Sequence, residues 1–257
     1  MKTLRKSLPA LIGILLVLLA WQAACGAGLF SSYVLPPPAK VAQALLRMAA
    51  SGELLRDVRI SFARVLRGFS IAFVFAFALG SLRCLLPESE RFYAPVIHFF
   101  RHVPPISLIP LLILWCGIGE TTKTVIIVLA AFPPLYLSVV KGFTSCSPLL
   151  LDAAHSLSCT KTRAFLRVIL PLALPDLLVG MRAGLGYAWR AIIGAEMVAA
   201  STGLGHLILF AQQMSRTDRV IAGILVIGAA GSLTDFILAR LIARLAPASA
   251  VHEPEVH

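Results

Sequence analysis

The chain has 257 residues, of which 58% are hydrophobic and only 14% charged, and its net charge is +11 at pH 7. This apolar share is too high for a soluble globular domain, so an integral membrane protein surrounded by lipid is predicted. The basic residues stand singly between apolar runs and form no aromatic-interleaved patch, which excludes a nucleic-acid partner.

The first apolar run covers about residues 8–28 and follows Lys2, Arg5 and Lys6. It is long for the apolar core of a cleaved signal peptide, and basic residues before a span mark its cytoplasmic side. We therefore assign residues 1–34 to an N-terminal tail and an uncleaved first transmembrane helix.

Residues 35–67 are predicted to be an external amphipathic segment with two helical stretches. These helices would either lie at the membrane interface or pack on the outer surface of the protein itself. The first stretch follows LPPP and places Val41, Leu45 and Met48 on one face. The second stretch runs directly into the second span and places Val58, Phe62, Val65 and Phe69 on one face, with Arg56, Arg64 and Arg67 elsewhere.

Five more uncharged runs follow, and residues 68–245 are predicted to be a core of five transmembrane helices. With the first run they make about six spans, so both termini are expected in the cytoplasm, and residues 246–257 form a C-terminal tail. The same count places Arg101, just before the run at 103–119, at a cytoplasmic edge. The dense prolines predict broken or kinked helices in an all-α membrane fold. The runs are residues 68–82, 103–119, 124–140, 183–189 with 191–195, and 220–234.

The stretch GIGETTKT at residues 117–124 resembles a phosphate-binding P-loop, with Gly117, Lys123 and Thr124 in matching positions. Thr122 stands where a P-loop needs glycine for its backbone to curl around phosphate. A P-loop also joins a buried strand to a helix, whereas this stretch lies between apolar runs. We predict a polar turn between two spans, no cofactor bound by this chain, and ATP used by a partner subunit.

Three other patterns favour structural roles. His98 and His102 have a spacing that can bind a metal, but no third ligand is evident, so no metal site is predicted. The five cysteines form no C-x-x-C pair and predict neither disulfides nor a zinc site. The glycines of the fifth span, Gly180, Gly184 and Gly186, permit close helix packing.

Residues 148–175 contain a motif between two of the predicted spans. Asp152, Ala153 and Ala154 are followed after three residues by Ser158, and after nine more by VILP, which ends at Leu170 and Pro171. This spacing resembles the EAA loop of the inner-membrane permease subunit of bacterial binding-protein-dependent ABC importers. Aspartate replaces glutamate, valine replaces isoleucine, and serine replaces a glycine that would tolerate positive φ.

The resemblance extends over about residues 35–245 and is closest to the branch that serves nitrate, sulfonate and taurine. It implies a type I importer permease, not an enzyme, that moves a small anionic solute inward by alternating access. Within the motif, the residues that would couple the permease to the ATPase are Asp152, Ala153, Ala154, Leu157, Ser158, Leu170 and Pro171. The stretches that carry it are LPPPAKV, SFARVLRGF, RHVPPISLIPLLILWCGIGE, GLGYAWRAIIGAEM, STGLG and RTDRVIAGIL.

The resemblance also implies partners and a location. The partners are a second permease copy, two cytoplasmic ATP-binding subunits and a periplasmic or lipid-anchored solute-binding protein, in the bacterial inner membrane. Whether the permease pair is a homodimer or a heterodimer stays open, although a homodimer is expected. The alternative function is a proton-coupled secondary transporter, which would need paired acids and usually an internal repeat.

Arg190 and Glu196 are the two charges deepest in the fifth span, in YAWRAIIGAEM. Charge inside a bilayer is costly, so each needs a partner or a watered cavity. Their spacing sets them about 120° apart around a helix, so they are not expected to neutralise each other. Arg190, with Tyr187 and Trp189, is predicted to line the solute path. Glu196 is predicted to line it, or to pair across helices or at the dimer interface; purely structural pairing of both charges is equally open.

Overall fold

A computed structural model describes residues 2–28 and 31–245, and every regular element in these ranges is helical. The predicted C-terminal tail, residues 246–257, lies outside the described residues. The helices are α1 (Lys2–Gly26), α2 (Pro38–Ala50), α3 (Glu53–Leu85), α4 (Glu90–Phe100), α5 (Ile109–Cys116), α6 (Glu120–Thr144), α7 (Pro148–Ser156), α8 (Lys161–Ala164), α9 (Leu170–Ala199), α10 (Leu204–Gln213) and α11 (Thr217–Leu245).

The centre of the fold is formed by α3, α6 and α9, which pack along one another. Ile126, Ile127 and Ile192 are fully buried in the apolar core between them. Small residues allow the close approach: a Cβ added at Gly180 would collide with Ser138, and one at Gly184 would lie 2.7 Å from Leu135. The predicted packing role therefore holds for Gly180 and Gly184. Gly186 has open space beside it.

Four of the helical segments are long and apolar enough to cross a membrane: Glu53–Leu85, Glu120–Thr144, Lys161–Ala199 and Thr217–Ala243. The third joins α8 and α9 through a π-helical turn at Phe165–Ile169. A fifth span results if the segment from Pro87 to Cys116, which bends by 91°, is counted as one. The all-helical membrane class is confirmed, while the sixth span, expected at α1, stays a prediction. Its described apolar part is the shorter stretch Ile12–Gly26.

The second stretch of the predicted external segment is continuous with the span that follows it. α3 runs unbroken from Glu53 to Leu85, so residues 53–67 belong to the same helix as the predicted second span. α2 packs through Val41, Ala44 and Met48 against α10 and α11. Of the two alternatives for α2, packing on the protein's own surface is the one observed.

The two ends of α6 are marked by ion pairs. Glu120 at its start binds Arg64 of α3 at 2.6 Å, and Lys141 near its end binds Asp176 of α9 at 2.8 Å. At 1.5 Å per residue, the stretch from Glu120 to Lys141 measures about 31 Å, close to the thickness of a bilayer's hydrocarbon core. The two ion pairs therefore mark two levels along α6, about one hydrocarbon thickness apart.

Candidate functional sites

The predicted coupling segment, residues 148–171, forms α7, a tight turn, α8, the π-helical turn and the start of α9. Pro148 begins α7, and the amide of Leu157 donates to the carbonyl of Ala153. Ser158 then adopts φ +55°, one of two positive φ values at non-glycine residues in the described part of the chain. The family's glycine would fit this conformation, so Ser158 occupies a backbone position that favours glycine.

The side chains of this segment divide into two groups. Ala154 is only 6% exposed, so it faces the chain's own interior, and Leu170 is half-buried. Asp152, Ala153, Ser158 and Pro171 are exposed, while Leu149 and Leu157 are 76% and 79% exposed. Exposed leucines on a short helix suit insertion into an apolar groove of another protein. The outward-facing apolar residues of this segment thus include Leu149 of α7 and Leu157 directly after it, but not Ala154.

The stretch that resembles a P-loop is a turn followed by the first residues of α6. Thr122 is fully buried and donates from its hydroxyl to the carbonyl of Gly117 at 2.6 Å. Lys123 is also buried, and its ammonium binds Glu120 at 2.7 Å. Because this ammonium is held by a carboxylate inside the fold, it is not oriented to bind phosphate.

A groove of about 910 Å³ lies between α9 and α11, and we name it the polar groove because charged side chains stand on both of its walls, although most of its exposed lining is apolar. Its α9 side presents Tyr187 and Arg190, and its α11 side presents Ser232 and Asp235. Glycines widen it, because a Cβ added at Gly186, Gly228 or Gly231 would meet nothing within 4 Å. Arg182 and Asp235 form an ion pair across the groove, with 2.7 Å between Nη2 and Oδ2.

Of the four residues predicted for the solute path, three line this groove. The Arg190 guanidinium is exposed and lies over the Tyr187 ring, 5.3 Å from its centroid. Within residues 2–28 and 31–245 it forms no ion pair. Trp189 is 5% exposed and its indole N–H has no hydrogen-bond partner among the described groups. A free cation beside aromatic rings is suited to attract an anion.

Glu196 lies elsewhere, in an ion network formed by Ser61, Arg64, Glu120, Lys123 and Glu196. All of these residues are buried except Glu120, whose side chain is 48% exposed. Arg64 donates from Nη1 to Glu196 at 2.8 Å and from Nε to Glu120 at 2.9 Å. The Ser61 hydroxyl donates to Glu196 at 2.8 Å. The network joins α3, α6 and α9, so Glu196 pairs across helices and does not line the groove.

The loop between α9 and α10 completes this network with backbone groups. The amide of Gly205 donates to Glu196 at 3.0 Å, and the carbonyl of Thr202 accepts from Arg64 at 2.7 Å. Gly203 has φ +110°, and a Cβ there would collide with the Glu196 carboxylate. Glycine is therefore required at residue 203 both by conformation and by space.

Sequence reasoning placed Arg64 away from the apolar face of its helix and missed its burial. Helical periodicity identifies the apolar face of a helix but not the carboxylates that other helices bring to its remaining side. One signal was present: Ser61 and Arg64 are one turn apart, on the same side of α3. Periodicity gave no means of pairing them with Glu120 and Glu196, far along the chain.

The comparisons with known sequences agree with this architecture. The family described as "Binding-protein-dependent transport system inner membrane component" matches residues 72–247. The taurine transport system permease protein TauC of Escherichia coli (strain K12) is 36% identical over 242 residues, covering 92% of this chain and 88% of that protein. The putative aliphatic sulfonates transport permease protein SsuC of Bacillus subtilis (strain 168) is 34% identical over 228 residues, covering 89% and 82%.

Solved structures support the fold. A chain in an inward-facing structure of the MetNI methionine ABC transporter superposes with a TM-score of 0.67 at 19% identity. The superposition covers 76% of this chain and 96% of that one. Hydrolysis of ATP belongs to a separate subunit in such a system, and this chain is a transport subunit in the inner membrane, not an enzyme. The chain belongs to the family of binding-protein-dependent transport system inner membrane components.

Proposed function

We propose that the chain forms the membrane pathway of an importer for a small sulfonate anion, such as taurine or an aliphatic sulfonate. The observation that carries the substrate class is Arg190, a cation free of any carboxylate in the described chain, in the polar groove. The names of two relatives, one for taurine and one for aliphatic sulfonates, support the same class.

The proposed assembly holds two copies of this chain, two ATP-binding subunits and one solute-binding protein. The polar groove is open on one side, which suits a path closed by a second copy of the chain. Both termini and α7 would lie in the cytoplasm, where the exposed leucines of α7 meet the ATPase. Nucleotide would be bound by that subunit alone, because Lys123 is held by Glu120.

In the proposed cycle, closure of the ATPase subunits on ATP opens the permease pair outward. The solute passes from its binding protein into the groove, and the pair resets after hydrolysis. Family membership favours this ATP-coupled cycle over a proton-coupled secondary transporter. The buried carboxylate Glu196 also fits that choice, because its oxygens are bound by Arg64, Ser61 and the amide of Gly205.

The test of the substrate class is the variant Arg190→Gln in vesicles containing the whole transporter. Uptake of labelled taurine and ATP hydrolysis stimulated by the binding protein are measured together. Uptake should fall about tenfold while stimulated hydrolysis persists, because one attractive charge is lost from the path. The matched control is Arg240→Gln, since Arg240 lies over Phe236 in a similar cation–π contact but outside the groove. Unchanged uptake in Arg190→Gln would refute the assignment.

A further inference from the structure

A second cavity, of about 310 Å³, lies at the break between α4 and α5. Arg101 and His102 line it from the break itself, and Pro133 and Pro134 line it from α6. Tyr187 of α9 also lines it, and the same residue lines the polar groove. The two cavities are therefore adjacent, with the Tyr187 side chain between them.

The depth of this cavity follows from its position along α6. Pro133 lies about 20 Å from Glu120 and about 12 Å from Lys141 along the helix axis, at 1.5 Å per residue. Glu120 and Lys141 lie about one hydrocarbon thickness apart, so the cavity is near the middle of the membrane. This position differs from the cytoplasmic edge that the sequence had predicted for Arg101.

The break brings charge to this depth. The segment between α4 and α5 turns by 91° after Phe100, so residues 101–104 leave the helix beside α6. Arg101 and His102 are both exposed, and in the described part of the chain neither forms an ion pair or a hydrogen bond through its side chain. A guanidinium at this depth is costly unless it faces water or an anion.

We propose that Arg101 and His102 form an anion-binding site on the solute path, next to the groove that holds Arg190. This inference rests on the proposed function and adds Arg101 and His102 to the residues of the path. A guanidinium donates two parallel hydrogen bonds to two oxygens of one sulfonate, and an imidazole N–H donates to a third oxygen. The aromatic ring of Tyr187 separates this site from Arg190. A solute anion on the path would therefore leave one cationic side chain and bind the other.

The first test measures accessibility and charge without reference to transport. His102→Cys is introduced into the full chain with its five native cysteines replaced by serine, expressed with its partner subunits in membranes. The probes are a sulfonatoethyl and a trimethylammonioethyl methanethiosulfonate. The measured quantity is the labelling rate of the sulfonate reagent divided by that of the ammonium reagent. This ratio should be about tenfold higher at the thiol of His102→Cys than at Cys116, an exposed native cysteine that a separate variant keeps as the reference.

This preference should disappear when Arg101→Gln is added and survive when Arg91→Gln is added instead. Arg91 is a matched control because it lies at the start of α4, 79% exposed and paired with Glu88. An absence of labelling in His102→Cys, or a preference that does not depend on Arg101, overturns the proposal.

The second test separates this proposal from the proposed function. Taurine uptake and stimulated ATP hydrolysis are compared for the unaltered protein, Arg101→Gln and Arg101→Lys in vesicles. Uptake should fall about tenfold in Arg101→Gln, recover partly in Arg101→Lys, and hydrolysis should persist in both. Equal uptake in Arg101→Gln refutes the site alone. If the unaltered protein imports no sulfonate although the labelling preference holds, the substrate class is wrong and an anion site remains.

Discussion

Arg64 and Glu196, 132 positions apart in the chain, form a buried ion pair with 2.8 Å between Nη1 and Oε1. The Arg64 side chain is 8% exposed and that of Glu196 is not exposed at all. Each also has further hydrogen-bond partners, so both charges are compensated inside the fold. Since the pair joins α3 to α9, it holds together the two helices that flank α6.

Removal of one partner should be strongly destabilising. Arg64→Gln leaves Glu196 buried without its cation, which typically costs about 3–5 kcal/mol. We expect a large fall in the thermal unfolding temperature of the detergent-solubilised protein and a poor yield of assembled transporter. Arg91→Gln is the control, because an exposed pair contributes about 0–1 kcal/mol. Similar stability in both variants would show that the network is not structural.

Gly203→Ala tests the loop that closes the network. The positive φ of Gly203 disfavours alanine, and its Cβ would collide with the Glu196 carboxylate. We expect a loss of about 2 kcal/mol or more in the free energy of unfolding, since backbone strain alone costs about 1–3 kcal/mol. Gly119→Ala is the matched control, because its φ is −179° and a Cβ there meets nothing within 4 Å. If Gly203→Ala unfolds at the temperature of the control, the described loop geometry is contradicted.

The sequence predicted the helical class, the break beside Pro104 and Pro105 and the packing of Gly180 and Gly184, because prolines and small residues act on local geometry. At Pro133 and Pro134 the expected break is absent, since α6 continues through both prolines. It did not predict the partners of Arg64, because periodicity places Arg64 off the apolar face of α3 without showing which carboxylates the other helices bring to it. The position of Arg101 was missed for a similar reason. A charge beside apolar runs normally indicates a membrane edge. Only the bend after Phe100 brings Arg101 beside Pro133.

Ser158→Gly should be tolerated and slightly stabilising. Serine at φ +55° is disfavoured, and glycine removes that cost, although it also makes the unfolded chain more flexible. We expect a gain of at most about 1 kcal/mol, measured by thermal unfolding, with unchanged stimulation of ATP hydrolysis. A substantial loss of stability would mean that the Ser158 side chain makes a contribution that its backbone conformation does not explain.

Leu157→Asp should weaken coupling without unfolding the chain. Leu157 is 79% exposed on the segment proposed to meet the ATPase, so its replacement removes an apolar contact and adds a charge at that interface. We expect much less ATPase subunit to co-purify, with normal insertion in the membrane. Leu86→Asp is the control, because Leu86 is 60% exposed in the turn after α3, outside α7. Equal co-purification from both variants would contradict the docking role. Ala154→Trp is less informative, because Ala154 is buried in its own chain.

The most direct test of the central claim, that this chain transports by using the ATP hydrolysis of another subunit, is accumulation of labelled taurine in vesicles under separate energy sources. One set of vesicles contains the permease, the ATPase subunits and the binding protein with ATP. A second set contains the permease alone with an imposed proton gradient. We predict accumulation in the first set only, abolished when ATP is replaced by ADP. Accumulation by the permease alone on the proton gradient would contradict the account.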